Sequence, residues 1–176
     1  MNLTANQQVT KEAIDRVYQN AIVGVLGHFT VVILLSVLFI YSNIPLYTIL
    51  SGLFFHCIIL LMRIYITFRY KKIKDTIDNF NDLYVWLVRY RILMFSSGMA
   101  FGLMLFFVEN LPAEYHFLVL AVIIGLAAGS ILTVGEIFSI YSSYIFIMFG
   151  ITLLWMVMQR SEEHTSELQS HHDIVC

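Results

Sequence analysis

The sequence predicts an all-α protein: a polytopic integral membrane helix bundle of five transmembrane helices with its N-terminus in the cytoplasm. Three observations predict it. The 176 residues are 59% apolar and 12% charged, against about 25% charged in soluble domains. The apolar residues fall in runs of about 20, the length a helix needs to cross ~30 Å of hydrocarbon. The positive charge is concentrated in one stretch, Phe68 to Lys74 (FRYKKIK), with Arg63 before it and Arg89 and Arg91 after it. Short loops rich in Lys and Arg stay on the cytoplasmic side, so that stretch orients the rest.

Residues 1–20 read as a cytoplasmic or interfacial helix. Thr4 and Gln7 have capping-box spacing, and Val9, Ala13 and Val17 share one face. The five-span membrane domain covers 21–159, with spans at about 21–42, 46–67, 88–108, 115–134 and 137–158. Asn43-Ile44-Pro45 turns the chain after the first span. The segment 75–90 carries Ile77, Phe80, Leu83, Tyr84 and Leu87 at helical spacing and leads into the third span. A short acidic turn containing Pro112 precedes the fourth span, and Gly135-Glu136 precedes the fifth. Backbone groups in lipid must be satisfied within their own segment, so each span is helical.

Lys11, Arg16, Arg63, Arg69, Lys71, Lys72, Lys74, Arg89 and Arg91 are the nine basic residues before position 160. With the N-terminus inside, all nine lie on or near the cytoplasmic side, and the two outer turns have none. Arg63, about one turn within the second span, can snorkel to the inner headgroups. Tyr41, Tyr47, Phe107, Tyr115 and Trp155 are expected in an outer aromatic belt, and Tyr65, Tyr70, Tyr84 and Trp86 in an inner one.

Two GxxxG motifs stand within spans: Gly98 with Gly102, and Gly125 with Gly129. Small residues at i and i+4 make a flat strip where another helix approaches closely. Such strips serve packing within one bundle or contact with a second copy, so the partners expected are bilayer lipid and a homodimer mate. His28 and His56 are the ionisable candidates at membrane depth, where such a group is a functional hypothesis by default. They can face each other across the first hairpin as cofactor ligands, with Cys57 nearby, or as a neutral hydrogen-bonded pair. Glu136 can meet the basic stretch or face water.

No phosphate loop, nucleophile elbow, HExxH or CxxC occurs, so no catalytic residue, metal site or cofactor is assigned. Two cysteines form no framework, and a formal charge of -2 points to no nucleic acid. Proline-free spans without an evident repeat argue against a transporter.

From Arg160 the character changes: RSEEHTSELQSHHDIVC. The string RSEEHTSELQS resembles the in-frame translation of a sequencing-library adapter. The resemblance makes 160–176 a non-native tail, His164, His171 and His172 included, and implies that the natural chain continues past Gln159. Residues 1–159 then hold nine basic and eight acidic groups.

Residues from about 18 to 159 resemble the N-terminal membrane module of bacterial signalling proteins, those with a diguanylate cyclase (GGDEF) or sensor histidine kinase output. The resemblance is carried by YQNAIVGVLGHF, LLMRIYITFRYKK, YRILMFSSGMAFGLMLFF and HFLVLAVIIGLAAGSILTVGEIFSIYSSYIFIMFGITLLW. It implies a truncated sensor and anchor region in the bacterial inner membrane, most simply of a diguanylate cyclase. A sixth span and a cytoplasmic enzyme would follow. The alternatives are a histidine kinase membrane region or a small permease fragment.

Overall fold

The computed structural model describes residues 5–42, 44–77, 79–109 and 111–174, with side chains for 7–160 of these. Among the described residues there is no strand. Five helices follow in order: α1 (Ala5–Tyr41), α2 (Leu46–Ile73), α3 (Phe80–Phe107), α4 (Ala113–Val134) and α5 (Phe138–Ile174). All five contain stretches long and apolar enough to cross a membrane. Thr4, half of the expected capping box, lies outside the described residues.

The helices run up and down, joined by short turns. Pro45 and Pro112 stand at the N-caps of α2 and α4, where a missing N–H costs nothing because the first helical turn leaves its N–H groups unpaired anyway. Asn79 caps α3 by accepting a hydrogen bond from the Asn81 backbone N–H at 3.1 Å, and Asp82 stands in the first turn, favourable at the positive end of a helix. A single 3-10 turn, Lys74–Thr76, carries the chain from α2 toward α3.

α3 is the central helix. Inside the bundle lies 56% of its most apolar window, against 22–28% for the other four. It packs most extensively on α5 and also touches α1, α2 and α4, while α1 packs on α2 and α4. The α3–α5 crossing depends on Gly98 and Gly102. A methyl group on Gly98 would sit 2.6 Å from the Tyr144 carbonyl oxygen and 2.8 Å from Ile147. One on Gly102 would sit 2.9 Å from Ile151 and 3.0 Å from the Met148 carbonyl. The backbones meet here because nothing larger than hydrogen stands between them, the approach that stabilises helix pairs where water supplies no driving force.

Two boundaries differ from the sequence reading. The segment 1–20 is not a separate helix: α1 runs unbroken through position 20. Its buried face is Ile14, Val17, Tyr18 and Ala21, while Val9 is 66% exposed and off that face. The stripe of α1 inside the bundle continues to Val25, His28, Val32, Leu35 and Phe39, so tertiary packing sets the face. The third helix also begins earlier than its span, at Phe80, because Leu83 and Trp86 are buried in the same packing.

Candidate functional site: a buried polar cluster

Tyr70, Thr67, Arg63 and His56 all lie on the inward stripe of α2, at intervals of three, four and seven residues. That spacing returns to one helix face at each step. Arg63 therefore points into the bundle. It is 3% exposed, and it does not snorkel: its Nη2 lies 3.5 Å from the Tyr90 hydroxyl of α3. A methyl group on Gly24 of α1 would come within 3.0 Å of the same nitrogen. Arg63 Nε is buried with no hydrogen-bond partner. Among the described residues no carboxylate pairs with Arg63, since the ion pairs are Arg16 with Glu12 and Arg16 with Glu136.

His28 and His56 do meet across the first hairpin. His28 Nε2 and His56 Nδ1 are 2.8 Å apart, a direct hydrogen bond between the rings. The Phe101 ring of α3 lies 4.5 Å from the His28 ring and 4.9 Å from the His56 ring, centre to centre. Two imidazole nitrogens bound to one metal at about 2.0–2.1 Å each would stand farther apart than this across the metal. The pair is closed on itself, and Cys57 beside it is free and half-buried. Among the described residues no group of three His, Cys, Asp or Glu side chains could hold a metal ion.

Towards the end of the bundle that carries the N-terminus, the cluster passes into a stack of aromatic rings. Tyr18 lies face to face with Tyr70 at 3.9 Å and edge-on to Tyr90 at 5.0 Å. The Tyr18 hydroxyl donates to the Trp86 carbonyl at 2.9 Å. The Tyr70 hydroxyl donates to Asp15 Oδ1 at 2.6 Å. Arg89 stands over the Trp86 ring at 4.7 Å, a favourable cation–π arrangement. Tyr70 and Trp86 are thus interior residues, not members of an aromatic belt. Tyr65 and Tyr84, each 56% exposed, do lie at the rim. At the opposite end Tyr41 and Tyr47 are exposed, but Trp155 is buried against His116.

The basic residues gather at the same end as the aromatic stack. Arg69, Lys71, Lys72, Arg89 and Arg91 are exposed and Lys74 is half-buried. Lys11 donates to the Ile77 carbonyl at 3.4 Å. Glu136, in the α4–α5 turn, pairs with Arg16 at 3.3 Å, a partner on α1 and not in the FRYKKIK stretch.

The second glycine motif has a different fate. Gly125 and Gly129 are exposed, and methyl groups on them would touch nothing within 4 Å. Both border a cleft of about 400 Å³ between α1 and α4. Its floor holds Arg63, His28, Tyr144 and Ser97, whose hydroxyl is also buried without a partner.

Neither protein-family models, nor curated proteins, nor solved structures give a counterpart of the chain.

Sequence reasoning reached Arg63, the two histidines and the glycines but missed the partnership of Tyr18, Tyr70, Trp86 and Tyr90. A faint sign existed. Trp86 and Tyr90 are one turn apart, and Tyr18 continues the stripe of Ile14 and Ala21. Which rings meet depends on how three helices cross, which periodicity within one helix does not specify.

Proposed function

We propose that the chain is the membrane sensor and anchor region of a bacterial signal-transduction protein, held in the inner membrane with its N-terminus and basic end in the cytoplasm. The output domain that fits best is a GGDEF diguanylate cyclase joined beyond the fifth helix, with 160–176 standing in place of the natural continuation. The observation that carries this reading is Arg63: a guanidinium in an apolar bundle, without a carboxylate, beside Tyr144 of the last helix. Burying an unpaired charge is costly. Such a group is more readily explained as part of a receptor than of a passive anchor. A change at Arg63 would reach Tyr144, whose carbonyl touches Gly98, and so would bear on the α3–α5 crossing. A shift in that packing is the input to the cytoplasmic enzyme, and a homodimer through the membrane helices would relay it.

Sequencing of the parent gene past codon 159 tests the reading. A GGDEF domain in frame supports it, a histidine kinase core moves the output to the alternative class, and further spans with broken helices replace it with a permease. Orientation is tested separately by labelling single cysteines at Lys71 and Lys72 in intact cells. Protection from a membrane-impermeant reagent is expected, and labelling from the periplasm would reverse the topology.

A further inference from the structure

The cleft between α1 and α4 has a polar floor and apolar walls, and two polar atoms of the residues on its floor have no partner among the described residues. Arg63 offers Nε, which no group in the bundle accepts, and Ser97 adds a hydroxyl. Arg63 is 97% removed from solvent by the protein itself, being 3% exposed. A buried guanidinium with free donors is matched by an oxyanion, which takes up its charge and its planar fork together. Arg63 is the one Lys or Arg side chain among the lining residues, and His28 beside it is engaged with His56, which favours a single negative charge.

The remaining walls set the rest of the ligand. From Gly24, level with Arg63, to Val31 the α1 wall rises about 10 Å at 1.5 Å per residue. Phe101 and Val122 face the same space. The volume of about 400 Å³ lies in the range of small-molecule sites, about 300–1,000 Å³. Val23, exposed to 64%, and Leu132, exposed to 83%, stand at the edge, so the cleft opens sideways to the outer surface of the bundle. A ligand can therefore enter from lipid.

We propose that this cleft binds a monoanionic single-chain amphiphile, a free medium-chain carboxylic acid, with its carboxylate on Arg63 and its alkyl chain along Val31, Phe101 and Val122. This deepens the sensor reading by naming a ligand class. It rests on that reading only for the membrane setting, because binding is measured directly and not through any output enzyme.

The test uses the full chain in nanodiscs of zwitterionic phosphatidylcholine, with decanoate labelled with carbon-13 at the carboxyl as the probe. Saturable binding is expected, with methyl decanoate failing to compete. Arg63→Gln should weaken binding at least about tenfold, in line with the loss of a charged hydrogen bond. The thermal stability of that variant without ligand should hold or rise, because an unpaired charge has been removed. A Cβ on Gly125 would meet nothing within 4 Å, so Gly125→Leu has room to project into the cleft mouth from the α4 side. It should block decanoate and leave the fold intact, and it decides the matter if Arg63→Gln fails to fold. Equal binding of acid and methyl ester, or unchanged binding in Gly125→Leu, would overturn the proposal. Competition by phosphatidylglycerol in the nanodisc would overturn it too, giving the site to a bilayer phospholipid, as would a second copy seated on Gly125 that excludes decanoate. Failure here leaves the gene-sequencing test of the sensor reading untouched.

Discussion

The same five-residue motif has two fates in this molecule. Gly98 and Gly102 of α3 are pressed against the backbone of α5, while Gly125 and Gly129 of α4 face outward with nothing within 4 Å of an added methyl group. A GxxxG motif states that a helix has a flat face. It does not state whether that face is used inside the chain, by another chain or by a ligand. The neighbours decide: α3 is enclosed by four helices, and α4 touches α1, α3 and α5 on its other sides.

Substitutions that respect or violate this difference sharpen it, beginning with the largest effect. Gly98→Leu should lose the folded bundle. It puts a side chain into the Tyr144 carbonyl and Ile147, and overpacking of a filled interior costs about 1–3 kcal/mol or more. Thermal unfolding in detergent by circular dichroism would show it, and a variant as stable as the parent would break the comparison. Next come the histidines. His28→Leu or His56→Leu alone strands one buried ring nitrogen, at about 1–3 kcal/mol, whereas replacing both removes the need for a partner. A double-mutant cycle should find the double variant more stable than at least one single variant. Additive losses would mean that the 2.8 Å contact contributes nothing. Tyr18→Phe should cost about 0.5–1.5 kcal/mol through its hydrogen bond to the Trp86 carbonyl, with the ring stack retained. The smallest effect belongs to Gly129→Ala, expected within about 0.5 kcal/mol of the parent. A large loss there would show that the α4 strip is covered.

Much of this arrangement was legible in the sequence. The five apolar runs gave helices whose ends agree closely at the turns, since proline and short polar segments cannot continue a span. Counting depth along two antiparallel helices put His28 and His56 near one level and left their facing each other as one possibility; which faces they occupy came from the packing. The direction of Arg63 did not. Its distance from the basic stretch suggested a side chain reaching outward, yet its face is that of His56, Thr67 and Tyr70, and face prevails over proximity. The extent of α1 was hidden for a related reason. Polar residues 7–16 look solvated in sequence, but one stripe of them packs on the ends of α2 and α3. The two glycine strips were indistinguishable, because their difference lies wholly in which helix stands opposite.

One detail at the first hairpin has an implication of its own. Taken as neutral rings, two imidazoles joined through Nε2 of one and Nδ1 of the other must choose a direction: one ring gives the hydrogen and the other receives it. The choice fixes the far side of both rings. If His28 is the giver, its Nδ1 is bare while His56 Nε2 bears a hydrogen; if His56 is the giver, the two outer nitrogens exchange characters. The centre of this bundle therefore holds a small arrow that can point toward either helix, and nitrogen-15 chemical shifts of the two rings would report which way it is set.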